Sequence, residues 1–273
     1  MPTIDERTIE VAGTEVFVRE AQSRTASPIL YLHGVPTHGA DWIPFLERTS
    51  GIAPDLPGFG RSGKSAAFDN SIDGYSRFLH AFVETLGLAR FSLVVHDWGA
   101  VGLALAQQRP ELIDRLVIAD AVPFLPGYRW HRIARVWRTP LLGELFMGST
   151  TRLGVRVLMR RVRALPDEAL KDFADTMIEH FDHGTQRAIL RLYRSAPPDV
   201  LERAGDRLGE LRAPALVVWG EHDPFLPTRF AHAYADALGG ETEVEVVPGA
   251  RHWPWLDDPA VIERVAEFLA RSR

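Results

Sequence analysis

The stretch Val94-Val95-His96-Asp97-Trp98-Gly99-Ala100 decides how this 273-residue chain folds. It overlaps Ser92–Val95, a short run rich in β-branched residues that is typical of a buried strand. Gly99 begins a helical pattern that continues to Gln108 and is stopped by Pro110. The order predicts a strand, a sharp turn and a helix, with the side chain of Asp97 exposed where the strand ends. Small residues at the turn let the strand and the helix approach each other closely.

Strand and helix signals of the same kind occur before and after this stretch. The predicted strands are Thr8–Val11 and Glu15–Glu20, which form a hairpin at Gly13, then Ile29–Leu32, Gly51–Asp55, Ser92–Val95, Leu116–Ala119, Ala215–Trp219 and Glu243–Val247. The predicted helices are 71–86 with Ser71 as N-cap, Gly99–Gln108, Thr228–Leu238 and Pro259–Arg271. Because strands alternate with helices, we expect an α/β fold with a mostly parallel sheet and helices on both faces.

Residues 122–212 interrupt this alternation, since they show helical patterns and no strand. The sequence therefore predicts a core formed by residues 1–121 and 213–273, with an inserted helical cap formed by residues 122–212. The insertion follows a strand of the core. We expect it to cover the carboxyl ends of the strands, where open α/β sheets bind their ligands.

Composition excludes several classes of function. The net charge is −5, which argues against a nucleic-acid partner. There is no cysteine, so neither disulfides nor thiolate chemistry are possible. No signal peptide and no run of about 18 apolar residues is visible, so we expect a cytoplasmic protein without a membrane partner. No metal-ligand spacing and no dinucleotide fingerprint occurs, so no metal and no cofactor is predicted.

Three residues in the order nucleophile, acid and histidine follow the turns after predicted core strands. Asp97 occupies the exposed position of a nucleophile elbow, which is usually written G-x-S-x-G. His252 lies on the loop after the last strand, and Asp223 follows the strand Ala215–Trp219. Asp120, at the end of the strand before the insertion, is the alternative acid. The backbone N–H groups of Val35 and Trp98 are the predicted oxyanion hole.

These motifs together resemble the epoxide hydrolases of the α/β-hydrolase fold and the related haloalkane dehalogenases. The resemblance rests on His33-Gly34-Val35-Pro36, Gly58-Phe59-Gly60-Arg61-Ser62, His96-Asp97-Trp98-Gly99, Asp223 and His252, and it spans the core. It implies that Tyr193, a tyrosine followed by arginine in the cap, donates a proton to an epoxide oxygen. The second family tyrosine has a poor match in Tyr128, and Trp130 or His131 are alternatives. The predicted substrate contacts are His33, Pro36, Tyr128 and Trp130.

A carboxylate nucleophile restricts the chemistry. Asp97 is ionised at neutral pH, so it suits displacement at a saturated carbon, which gives an ester on the enzyme. Water activated by His252 then hydrolyses this ester. We therefore expect an enzyme that opens epoxides to vicinal diols, with a small apolar substrate and water as its partners. A monomer and a homodimer both remain open.

Two alternatives to the epoxide hydrolase follow from the same residues. A haloalkane dehalogenase uses the same nucleophile but binds halide through N–H donors. Here Val35 replaces the asparagine that such enzymes carry in this turn, and its side chain cannot donate. The other alternative is a ligand receptor without catalysis, which would bind tightly and turn nothing over. A complete set of Asp97, His252 and Asp223 disfavours it.

Overall fold

We analysed a computed structural model of the chain, which describes residues 3–22, 27–151, 153–155, 157 and 167–271. Its centre is an eight-stranded sheet. The strands are β1 Ile4–Val11, β2 Thr14–Ala21, β3 Ile29–Leu32, β4 Gly51–Pro54, β5 Phe91–Asp97, β6 Ile113–Ala121, β7 Ala215–Gly220 and β8 Thr242–Val247. They lie in the order β1-β2-β4-β3-β5-β6-β7-β8. The pairs β1/β2 and β2/β4 are antiparallel, and the others are parallel.

Helices connect these strands along most of the described chain. They are α1 Ile43–Leu46, α2 Ile72–Thr85, α3 Val101–Gln108, α4 Arg132–Arg138, α5 Leu142–Gly148, α6 Asp167–Glu179, α7 His183–Ser195, α8 Pro198–Arg203, α9 Arg229–Ala237, α10 Pro254–Asp257 and α11 Ala260–Ala270. The Ser71 side chain accepts a hydrogen bond from Gly74 N at 3.1 Å, so the predicted N-cap of α2 is confirmed. Among the described residues, no helix is long and apolar enough to cross a membrane.

The sheet is buried on both sides by apolar side chains. One cluster contains Leu93 and Val95 of β5 with Phe82 of α2, and a second cluster contains Val94 of β5 with Phe268 of α11. Alternate residues of the same strand thus face opposite layers of helices, as a doubly covered parallel sheet requires. The predicted α/β fold with a mostly parallel sheet is confirmed.

In the sequence, the helices α4 to α8 lie between β6 and β7, which are neighbours in the sheet. The chain leaves the sheet at Ala121 of β6 and returns at Ala215 of β7, and Ala119 pairs with Val218 across these two strands. The insertion therefore leaves from the carboxyl end of β6, and the carboxyl ends of β5 and β7 lie on either side of that point in the parallel sheet. Polar side chains at these strand ends are placed to share one site.

Candidate active site

The turn after β5 holds Asp97 in an unusual backbone conformation. Its φ is 48° and its ψ is −118°, a region that residues other than glycine rarely adopt. Close packing enforces this turn, since a Cβ atom on Gly99 would lie 2.1 Å from the carbonyl oxygen of Leu32. A Cβ on Gly34 would lie 2.4 Å from Cβ of Asp97. The strain is stored where one carboxylate must be aimed away from the sheet.

Both carboxylate oxygens of Asp97 have neighbours. Oδ1 accepts a hydrogen bond from the backbone N–H of Val35 at 2.8 Å. Oδ2 lies 3.5 Å from Nε2 of His252. Burial tends to raise the pKa of Asp97, but its hydrogen bond and charge interaction with His252 outweigh this and hold the pKa below its usual range. Asp97 is therefore an ionised carboxylate with one oxygen beside a predicted oxyanion donor.

His252 connects this carboxylate to a second one. Its Nδ1 lies 2.7 Å from Oδ2 of Asp223, and the imidazole is only 2% exposed. Burial lowers the pKa of His252, but the carboxylates of Asp223 and Asp97 raise it well above its ordinary value. The carbonyl oxygen of His252 lies 2.7 Å from Nε2 of His96, so that ring holds the loop of His252 against β5. The candidate nucleophile Asp97, the candidate base His252 and the candidate acid Asp223 thus form one chain of contacts.

The structure brings both candidate acids into the site but gives them different neighbours. Asp223 contacts the imidazole of His252, and its Oδ1 accepts from Phe225 N at 2.7 Å and Leu226 N at 3.0 Å. Asp120 lies behind Asp223 and accepts from Gly220 N at 3.0 Å. The acid that orients the imidazole in this structure is therefore Asp223.

A cavity that is open to solvent lies in front of Asp97 and His252. Its walls are mostly apolar and come from the insertion and from the loops of the core. Among the residues that line it are Pro36, Trp137, Met177, Phe181, Phe225 and Trp253. Pro36 was predicted to contact the substrate, and it does lie in the wall. Such a cavity suits a small apolar ligand.

Two polar side chains of the insertion also line this cavity. Tyr193 of α7 is 3% exposed, and its ring packs against Trp137 at 4.9 Å and Trp98 at 5.2 Å. Burial and then the charge of Asp97 raise its pKa well above the usual value, so the phenol keeps its proton. Nδ1 of His131 accepts the N–H of Ala134 at 3.3 Å. Burial lowers the pKa of His131 to about 4, so the ring is neutral and carries its proton on Nε2.

The structure corrects three of the predicted substrate contacts. Tyr128, Trp130 and His33 are not among the described residues that line the cavity. Trp130 donates its indole N–H to the carbonyl oxygen of Ala196 at 2.8 Å, and Tyr128 packs edge-on against Trp130 at 5.1 Å. Both belong to the buried apolar cluster that also covers one face of the sheet.

His33 has a structural role instead. Its Nε2 accepts the backbone N–H of Leu56 at 2.9 Å, and its Nδ1 lies 2.8 Å from the carbonyl oxygen of Gly34. Burial lowers its pKa to about 4, so the ring stays neutral and fixes the turn that carries Val35. Tryptophans and phenylalanines of residues 122–212 were expected to form the wall, and Trp137 and Phe181 do line it. Phe225, which lies outside that segment, was not expected there. Long-range packing brings it to the wall, and its local sequence carries no signal for this.

Residues 27–259 match the family model described as the alpha/beta hydrolase fold, so the chain belongs to that family. It is 33% identical to a haloalkane dehalogenase of Mycobacterium marinum, with 73% of this chain and 69% of the relative covered. It is 24% identical to Epoxide hydrolase 1 of Caenorhabditis elegans, with 97% and 70% covered. A crystal structure of a haloalkane dehalogenase from Bradyrhizobium elkani superposes with a TM-score of 0.83 at 27% identity over 98% of each chain.

The comparisons confirm the predicted relation to haloalkane dehalogenases and epoxide hydrolases. The protein is a hydrolase of this fold.

Proposed function

We propose that the protein hydrolyses epoxides to vicinal diols through an ester on Asp97. The observation that carries the proposal is that Tyr193 and His131 line the same cavity as Asp97. An attacking carboxylate and two proton-bearing groups therefore surround one apolar space. An epoxide needs this combination, since its oxygen becomes an alkoxide when the ring opens and requires a donor.

The first step forms a carbon–oxygen bond. One oxygen of Asp97 attacks an epoxide carbon, the ring carbon–oxygen bond breaks, and the departing oxygen takes a proton from Tyr193. His131, with its proton on Nε2, is the second group available to hold this oxygen. The product is a hydroxyalkyl ester of Asp97, as expected when a carboxylate serves as nucleophile.

The second step hydrolyses this ester. Ester formation removes the charge of Asp97, which is one of the two carboxylate charges that raise the pKa of His252. That pKa then falls, so the ring can lose its proton, which replaces the one that Tyr193 donated, and act as a base toward water. The water gives one proton to His252 and attacks the carbonyl carbon of the ester, and the N–H of Val35 stabilises the charge that develops on the carbonyl oxygen. The ester carbon–oxygen bond then breaks, and the departing oxygen takes the remaining proton of the added water. The diol leaves with the carboxylate of Asp97 restored and His252 protonated.

A haloalkane dehalogenase is the second candidate. Trp137 lines the cavity, and its buried indole N–H makes no hydrogen bond to the described residues, so it is available to a halide. Trp98 also has a buried indole N–H, which makes no hydrogen bond of normal geometry to the described residues. The side chain of Trp98, however, is not among the described residues of the cavity wall, whereas Tyr193, which packs against it, is. This placement favours the epoxide.

The decisive experiment traps the ester. His252→Gln is expected to react with a panel of aliphatic and styrene-type epoxides and to accumulate an adduct on Asp97, seen by intact-protein mass spectrometry. Asp97→Ala should give neither adduct nor diol. A parallel panel of bromoalkanes distinguishes an epoxide hydrolase from a dehalogenase, because release of bromide without diol formation from epoxides would identify a dehalogenase. Tight binding without adduct in either panel would identify a receptor.

A matched pair of tyrosine variants tests the proton donor. Tyr193→Phe should lower kcat for epoxides by about 10², the usual contribution of a general acid. Tyr128→Phe is the control, since Tyr128 is as deeply buried but does not line the cavity among the described residues. It should leave kcat unchanged. Equal losses in both variants would contradict the role of Tyr193.

A further inference from the structure

Asp120 is a fully buried carboxyl that the catalytic scheme does not use. It lies next to the last residue of β6, with a φ of 37° in the left-handed region. Aspartate and asparagine tolerate this region better than other side chains, but it still strains the backbone. The conformation aims the carboxyl at the end of β7, where Gly220 N donates to its two oxygens at 3.0 and 3.3 Å. A strained backbone thus holds a polar group in the interior.

The carboxyl of Asp120 lies beside that of Asp223. An oxygen atom of each lies within 4.8 Å of the other and of a ring nitrogen of His252, and the side chains of both acids are fully buried. Asp223 already accepts three donors, which are His252 Nδ1 and the N–H groups of Phe225 and Leu226. No ion pair formed by the described residues includes Asp120. Two buried carboxyls this close repel each other when both are ionised, so one of them is expected to carry a proton.

We propose that Asp120 holds this proton permanently and donates it to Asp223, so that the pair carries a single negative charge behind His252. Asp120 is then a positioning residue for the triad acid and not a substitute for it. The hydrogen-bond donors around each carboxyl decide which of the two carries the proton. Asp223 is stabilised as an anion by His252 and two N–H groups, whereas Asp120 has the N–H of Gly220. Burial and then the charge of Asp223 raise the pKa of Asp120, in agreement with this assignment.

The single negative charge of the Asp120–Asp223 pair affects the pKa of His252. This consequence rests on the proposed function, in which His252 is the base. The titratable groups that act on His252 include Asp120 and Asp223 behind it, Asp97 and His96 of β5 in front, and His131 across the cavity. A second ionised carboxylate at Asp120 would raise the pKa of His252 further and keep the ring protonated. The proton on Asp120 prevents this. Its hydrogen bond also withdraws charge from Asp223, which weakens the hold of Asp223 on the imidazole proton.

Infrared spectroscopy tests the protonation state without any substrate. The wild-type protein at neutral pH should show the C=O band of a buried protonated carboxyl, which Asp120→Asn removes. Asp97→Asn is the control and should keep the band, since Asp97 is ionised. Absence of the band in the wild type, or its persistence in Asp120→Asn, would overturn the assignment. The outcome does not depend on whether epoxides are the substrates.

The pH dependence of turnover tests the positioning role. Asp120→Asn keeps a donor toward Asp223 and tolerates the backbone conformation, so the acid limb of kcat, which reports the base in the ester, should not move. Asp120→Gly also tolerates the conformation but removes the donor. It should move the acid limb upward by about one pH unit, which is about tenfold in rate at a fixed pH on that limb. A merely structural role would lower the rate equally at all pH values, and this result would refute the proposal.

Discussion

Replacing Gly34 by alanine should disable Asp97 while the protein remains folded. A Cβ atom at position 34 would lie 2.4 Å from Cβ and 2.6 Å from Oδ1 of Asp97. Ordinary contacts of a Cβ atom begin at 3.4 Å, so Asp97 must move by about 1 Å. The turn that carries Asp97 is already strained and cannot absorb this movement in its backbone. The carboxylate is then displaced from the N–H of Val35, which donates at 2.8 Å.

The expected loss follows from this displacement. Misplacing a reacting group by 1 Å costs about 10² in rate, and loss of one oxyanion donor costs about 10² to 10³. We therefore expect Gly34→Ala to lower kcat by about 10² to 10³, or about 3–4 kcal/mol of transition-state stabilisation. Overpacking should lower the free energy of unfolding by about 1–3 kcal/mol, which leaves a folded protein.

The assay measures how fast the ester forms. In a His252→Gln background, the growth of the Asp97 adduct is followed by intact-protein mass spectrometry with and without Gly34→Ala. Gly148→Ala is the matched control, because a Cβ atom there meets no described atom within 4 Å. Circular dichroism verifies the fold of each variant. If Gly34→Ala forms the adduct as fast as its parent, the carboxylate does not act from the position described above.

Three further predictions concern stability. Arg19→Met should lower the free energy of unfolding by about 3–5 kcal/mol in urea titrations, because it leaves the buried carboxylate of Asp55 without its partner at 2.6 Å; a loss below about 1 kcal/mol would contradict a buried ion pair. Ser71→Ala should cost about 1 kcal/mol through loss of the α2 N-cap, and an unchanged melting temperature would count against it. Burial lowers the pKa of His33 to about 4 and that of His96 to about 3, so their contribution to stability is present above pH 6.5 and is lost as the pH falls toward 4. Over that range His33→Gln should reduce the slope of stability against pH by about 1.4 kcal/mol per unit, and an unchanged slope would refute the neutral state of His33.

The sheet was predictable because its signals are local. The β-branched residues of β5 and the Ser71 cap of α2 act within a few residues of their own position. The same holds for the turn at Asp97, where Gly99 permits the close approach of strand and helix. The order of the loops along the chain then gave His252 and Asp223, since parallel strands bring their carboxyl ends to one edge.

The walls of the cavity were not predictable in this way. Tyr128, Trp130 and His131 are close neighbours in sequence, yet of these only His131 lines the cavity among the described residues. Which of them faces the cavity depends on contacts with partners that are distant in sequence, such as the carbonyl oxygen of Ala196 for Trp130. The relation between Asp120 and Asp223 also depends on tertiary structure, because a sequence shows two acids in rival positions and cannot show that they share a proton.

The insertion is joined to the sheet in a way that lets its sequence change without moving Asp97, His252 and Asp223. It starts and finishes on β6 and β7, which are hydrogen-bonded to each other, so its two junctions stay fixed whatever lies between them. Asp97, His252 and Asp223 all belong to the part outside it. New lengths and side chains between the junctions can therefore alter the wall of the cavity while Asp97, His252 and Asp223 keep their positions.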